Sequence, residues 1–222
     1  MKKYLIPALL AIGSMVLALL AYFELAPMTL VEVFGFVTGA ACVWLVAKDN
    51  IWNWPLGIAN AAFYIYIFFG AKLYADMSLQ VLYVIFGFIG WYMWLFGGEN
   101  KSKLSVRGVG ALESAAIFII SLISVYFMRN YLVSIGDSAP FLDALTTVMS
   151  LAAQYLLTKK FIENWYIWLA VDVIYVGLYF SRGLYLTAVL YAIFFGMCLV
   201  GLKEWRANKV EHLALAERGS DV

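Results

Sequence analysis

Long apolar runs alternate with short polar breaks along almost the whole chain. Eight runs reach spanning length, at 4–23, 28–47, 54–70, 77–96, 113–131, 139–158, 165–180 and 185–202. A helix needs about 20 residues to cross the hydrocarbon core, with ~17–25 as the working range. The 165–180 run sits at the short end, so its helix is expected to begin nearer Glu163. No run alternates polar and apolar with period two, and only helices and closed barrels satisfy their backbone groups in lipid. The pattern predicts an all-α integral membrane protein with eight transmembrane helices.

The polar and aromatic positions within these runs recur. A shift of 111 residues places Lys48 on Lys159, Asn53 on Asn164, Trp54 on Trp165, Tyr64 on Tyr175, Gly90 on Gly201 and Trp94 on Trp205, with no gap. Chance matches of Leu and Ala are easy in an apolar chain; matched Asn, Trp, Tyr and Gly are not. Each repeat holds three spans, and the 113–131 helix lies between them. Three crossings followed by one return the chain to its starting side, so the repeats are expected to be parallel, related by an axis along the membrane normal. The expected organisation is an additional N-terminal helix (1–27), a first three-helix repeat (28–96) and a loop with a linker helix (97–138). A second repeat (139–205) and a loose or partly helical tail (206–222) complete a three-plus-one-plus-three, SWEET-like plan. The loop GGENKSKLSVRGVG, 97–110, is the seam between halves.

Composition agrees with this class. The chain is 65% hydrophobic and 13% charged, against about half and a quarter in soluble domains. Its net charge of +1 says little, but the sidedness of Lys and Arg says more. Threading eight spans puts twelve of them (Lys2, Lys3, Lys48, Lys101, Lys103, Arg107, Lys159, Lys160, Lys203, Arg206, Lys209, Arg218) on the N-terminal side. Only Lys72, Arg129 and Arg182 fall on the other. Cytoplasmic loops are rich in Lys and Arg, so both termini are expected in the cytoplasm. The alternative for the first run is a cleaved leader. Its apolar stretch exceeds the ~7–15 residues of a signal core and no small-x-small site follows, so a retained helix is expected.

Candidate chemistry is sparse. Cys42 and Cys198 fall inside spans and read as buried apolar fillers, and the single histidine, His212, lies in the polar tail. A membrane-embedded protease or quinone-linked oxidoreductase would need a histidine within a span, a CxxC pair or a G-x-S-x-G turn, all absent. Asp76 and Asp172 lie in different local settings, which argues against an aspartyl dyad. No Walker motif is present. A non-enzyme without metal or cofactor is expected, with a small molecule and the lipid bilayer as partners and no nucleic acid.

One acid stands out. At 100° per residue, Trp165, Trp168, Asp172, Tyr175 and Tyr179 fall within about 80° on one helix face. Asn53, Gly57, Asn60 and Tyr64 share a face of the equivalent helix in the first repeat, and Gln80, Tyr83, Gly87 and Trp94 share one on the next. Tyr191 is the repeat partner of Gln80. An acid at the centre of a membrane helix costs about 2.5–3.5 kcal/mol on insertion scales, and such residues mark substrate or ion pathways. The bland alternative makes Asp172 a hydrogen-bonded strut. For Trp54, Trp165 and Trp205, near span ends, an interfacial aromatic belt competes with ligand contact. Aromatic faces attract cations and amides hydrogen-bond hydroxyls and carboxamides, so the stripe fits a flat organic cation. The expected binding residues are Asn53, Asn60, Tyr64, Gln80, Tyr83, Trp168, Asp172, Tyr175 and Tyr191.

Three motifs carry a resemblance: LYAD at 73–76, GWYMW at 90–94 and GLYLTAVLY at 183–191. With the runs around them, the chain after Pro27 resembles the PnuC-type vitamin transporters of bacteria. That resemblance implies uptake of nicotinamide riboside across the inner membrane by facilitated diffusion, with a cytoplasmic nucleoside kinase trapping the product. It also implies a homotrimer. Relatives are thought to carry thiamine or riboflavin, and Gln80 stands where the family pattern has Asn, which bears on fine preference. A related vitamin, or a binding subunit of an ATP-driven vitamin importer, is the alternative.

Overall fold

The computed structural model describes residues 29–70, 72 and 74–220, with 13, 15, 19 and 21–23. The expected first span, 4–23, lies largely outside the described residues. Seven α-helices follow: α1 (Leu30–Ala47), α2 (Asn53–Gly70), α3 (Tyr74–Phe96), α4 (Ala111–Ser134), α5 (Pro140–Thr158), α6 (Asn164–Ser181) and α7 (Tyr185–Ser220). The 97–110 loop carries one 3-10 turn, Glu99–Lys101. Among the described residues the sole bridge of β type joins Arg107 to Phe161. The fold is all-helical.

Most boundaries lie close to the apolar runs, and α6 begins at Asn164, beside the expected Glu163. The tail expected to be loose or partly helical is helical to Ser220, where α7 ends after 36 residues. Residues 203–218 contain neither Gly nor Pro and are rich in Ala, Leu, Glu, Lys and Arg, the strong helix formers. On length and composition, four helices qualify as membrane spans among the described residues: Met77–Phe96, Ala111–Ser134, Pro140–Thr158 and Thr187–Val210. Helices α2 and α6 fall short because their Asn, Trp and Tyr positions lower hydropathy; Asn53, Trp54, Asn164 and Trp165 among them are buried. Helix α4 is the opposite case. Leu112, Phe118, Ile120 and Phe127 are exposed along it, as suits a helix bathed in acyl chains that are as apolar as Leu.

The tightest packing lies at the lysine-rich end. Trp54, Trp94, Trp165 and Trp205 are all at most 3% exposed. Trp54 meets Trp94 edge to face at 5.3 Å, Trp165 meets Trp205 at 5.5 Å, and Trp94 lies 5.9 Å from Trp205. Two indoles reach across. Trp94 Nε1 donates to the Leu157 carbonyl at 3.1 Å, and Trp205 Nε1 donates to the Val46 carbonyl at 2.9 Å. These contacts recur at the 111-residue spacing, as do the glycines beneath them: a Cβ on Gly90 would collide with the Trp54 ring and one on Gly201 with the Trp165 ring. The interfacial-belt reading of Trp54, Trp165 and Trp205 therefore gives way to a buried cluster. They are buried because the 97–110 loop folds back over them. Leu104 N–H bonds the Trp94 carbonyl, Arg107 N–H the Lys160 carbonyl, and Ile162 N–H the Arg107 carbonyl, while Val106 enters the core.

Lys160 seals this end. It has no exposed surface, and its ammonium lies 2.6 Å from Asp49 Oδ1 as an ion pair outside hydrogen-bond angles. It also sits 4.3 Å over the Trp94 ring. Burial pushes the lysine's pKa down, with Asp49 acting against that shift. The two residues are 111 apart and both turn through left-handed backbone, φ 52° and 53°. Lys48–Glu204 at 2.5 Å and Lys159–Glu113 at 2.7 Å add ion pairs around the rim.

Candidate functional site

Above the tryptophan cluster the helices part around a cavity of about 440 Å³, within the ~300–1,000 Å³ range of small-molecule sites. Of the nine residues expected from sequence, eight line it: Asn53, Asn60, Gln80, Tyr83, Trp168, Asp172, Tyr175 and Tyr191. Tyr64 does not. It stacks on Phe68 at 5.5 Å and presses its hydroxyl against Gly35, where any Cβ would collide with it. Because Gly35 lacks a Cβ, the Tyr64 hydroxyl sits directly against α1 and not in the cavity wall.

Each wall has a local cause. Asn53 and Asn164 open α2 and α6, and their side-chain amides bond back to the Asn50 and Phe161 carbonyls at 2.7 and 2.6 Å. Two turns deeper on α2, Asn60 Nδ2 donates to Thr38 Oγ1 at 2.5 Å. On the far side Tyr175, Tyr179 and Tyr191 form a stack, with Tyr175–Tyr191 at 4.7 Å and Tyr179–Tyr191 at 5.4 Å. Phe194 extends this ring group to Phe36 on α1.

Asp172 is the one lining side chain with a formal charge, and no Lys or Arg lines the cavity among the described residues. It is 5% exposed, and Cys198 Sγ donates to its Oδ2 at 3.5 Å. Three further polar atoms in the walls, Trp54 Nε1, Trp165 Nε1 and Asn164 Oδ1, are buried without a partner in the described chain. Buried polar groups are normally paired, so these two donors and one acceptor are open to the hydroxyls or amide of a small molecule. The chemistry available is recognition: an anionic point, aromatic faces and neutral hydrogen-bonding groups.

Sequence reasoning passed over several lining residues. Ser150 and Gln154 of α5 contribute to the cavity, and α5 brings Ser150 to Tyr83 and Thr146 to Tyr175. Thr146, Ser150 and Gln154 are spaced four apart, so the helical periodicity that picked out Asp172 would have found them. Asn164, Cys42 and Cys198 also line the cavity; Cys198 is at the same time part of the buried core, as expected of an apolar filler.

Residues 29–207 match a family model described as nicotinamide mononucleotide transporter. The chain is 29% identical over 201 residues to the nicotinamide riboside transporter PnuC of Escherichia coli strain K12, covering 79% of this chain and 84% of that protein. It is 25% identical over 181 residues to the riboflavin/roseoflavin transporter RibM of Streptomyces davaonensis, covering 78% and 83%. A crystal structure of the vitamin B3 transporter PnuC superposes with a TM-score of 0.68 at 25% identity, covering 91% of each chain.

Proposed function

The chain belongs to this family of multi-pass bacterial membrane transporters, and from that premise we propose that it carries nicotinamide riboside. The observation that supports this most directly is the charge of the cavity lining: one carboxylate, Asp172, and no base among the described residues. Nicotinamide riboside presents a planar pyridinium cation, a carboxamide and ribose hydroxyls. The cation suits Asp172 and the rings of Trp168 and Tyr175; the amides of Asn60, Gln80 and Gln154 suit the hydroxyls and carboxamide. The mononucleotide would bring a phosphate, which binds through Arg, Lys or helix N-termini. With an acid and no base in the lining, the phosphate is disfavoured.

The same argument explains accumulation. Transport is facilitated diffusion with alternating access, the two like-oriented three-helix repeats rocking about the central site. Phosphorylation by a cytoplasmic nucleoside kinase turns a cation into a phosphate ester that this cavity does not readmit. Both termini lie in the cytoplasm, on the side of the tryptophan cluster, and a homotrimer is the assembled form. The eight-helix count with an additional N-terminal helix belongs to this reading, as do the nine ligand-facing residues less Tyr64.

The experiment is flux of labelled nicotinamide riboside into proteoliposomes holding the purified chain alone. Saturable uptake, competed by unlabelled riboside and little affected by the mononucleotide, is expected. Competition by thiamine or riboflavin stronger than by the riboside would reassign the substrate. Flux that appears only with an added ATPase would make the chain a binding subunit instead.

A further inference from the structure

We infer that Cys198 is a positioning residue for the ligand: its thiol orients the Asp172 carboxylate toward the cavity while leaving the negative charge available to a cation. The inference rests on the reading of Asp172 as the ligand's counter-charge and adds a residue to it.

Three observations carry it. First, Asp172 on α6 and Cys198 on α7 are 5% and 4% exposed and meet through Sγ donating to Oδ2 at 3.5 Å. Among the described residues no other side chain hydrogen-bonds this carboxylate. Second, both residues line the cavity, so the bond lies in its wall and not behind it. Third, the repeat supplies an internal comparison. At the positions 111 residues earlier stand Ala61 and Gly87, and the α2–α3 crossing there is closed by apolar contact: a Cβ on Gly87 would lie 2.6 Å from Ile58 Cγ1. A helix crossing of this kind therefore packs without any polar pair. In the second half the same crossing holds an acid and a thiol, one of the positions at which the two halves of the lining differ.

The choice of donor matters. A carboxylate accepts about four hydrogen bonds, and a thiol is a weak donor. An arginine or lysine beside Asp172 would cancel its charge, and a set of strong donors would satisfy it. A single thiol fixes one oxygen on the α7 side and leaves the other oxygen, and most of the charge, to an incoming pyridinium.

The test is a double-mutant cycle read with two ligands in proteoliposomes. These are cationic nicotinamide riboside and its reduced, uncharged 1,4-dihydropyridine form. Cys198→Ala is expected to raise KM for the cation about fivefold, the size of one oriented hydrogen bond, with maximal rate retained. KM for the neutral form is expected to move less than about twofold by the same reasoning. Cys198→Ser restores a donor and is expected to restore the cation's KM. In an Asp172→Asn background, Cys198→Ala adds nothing, because the charge it positions is gone. Equal loss for both ligands, or full additivity with Asp172→Asn, would reduce Cys198 to packing and overturn the inference while leaving Asp172 in place. Unchanged cation transport in Asp172→Asn alone would instead remove the reading beneath it. A spectroscopic arm needs no Cys198 variant. The S–H stretching band of Cys198, isolated in Cys42→Ala protein, is expected to move to higher frequency when Asp172→Asn replaces a charged acceptor by a neutral one. A band that stays put rules out the bond.

Discussion

Replacing Lys160 by Met tests the cap beneath the cavity. The substitution keeps most of the stem that packs among the tryptophans and removes only the ammonium. The ammonium is lost from an ion pair with Asp49 at 2.6 Å and from the face of Trp94 at 4.3 Å. Breaking a buried pair by deleting one partner costs about 3–5 kcal/mol, chiefly through the charge left behind. Here the abandoned partner keeps 21% of its side-chain surface, so water relieves part of that cost and the lower end, about 3 kcal/mol, applies. For a chain of this length each kcal/mol moves the midpoint by ~2–4 °C, so a fall of roughly 6–12 °C is expected. The assay is thermal unfolding of the purified protein in detergent, followed by fluorescence of the tryptophan cluster. The double variant Lys160→Met with Asp49→Asn removes the stranded charge, and Asn tolerates the left-handed backbone at 49. It is expected to recover more than half of the loss. A single-variant fall under about 3 °C, or singles that simply add in the double, would show that the pair contributes no coupling and refute the argument.

Two more outcomes follow from the packing. Gly90→Ala and Gly201→Ala each thrust a methyl into a fully buried indole, so each is expected to destabilise by about 1–3 kcal/mol. The two should lie within about half a kcal/mol of one another, since unrelated sites would not match and equivalent ones do; thermal midpoints measure both. Cys42, half-buried in the cavity wall, is expected to react with a small cationic methanethiosulfonate in Cys198→Ser protein. Saturating nicotinamide riboside should slow that reaction at least about tenfold by occupying the site, and labelling insensitive to the ligand would move the binding site away from α1.

Much of this was legible in the sequence because two signals are local. Apolar run length gave the helices, since lipid leaves the backbone no other economy of hydrogen bonds. A carboxylate amid aromatic side chains marked the α6 face, since helical periodicity is enough to show which neighbours share it. What escaped was tertiary. Trp54 and Trp165 near span ends carry the composition of an interfacial belt, and only the returning 97–110 loop, through Val106 and the Arg107–Phe161 bridge, makes them interior. Asp49 and Lys160 sit in polar turns, where a charge reads as solvated, and their burial depends on a meeting of two turns far apart in sequence.

The length of α7 has a mechanical consequence. Thirty-six residues of helix extend for about 54 Å at 1.5 Å per residue, while the hydrocarbon layer takes up only about 30 Å. Roughly 24 Å of rigid rod, by that difference, stands clear of the bilayer. Because Glu204 ties this rod to Lys48 at its exit, the rod works as a pointer. A tilt of about 10° inside the membrane swings the tip by some 4 Å over that length, enough for a spin label at the C-terminal end to register motion too small to follow at the cavity itself.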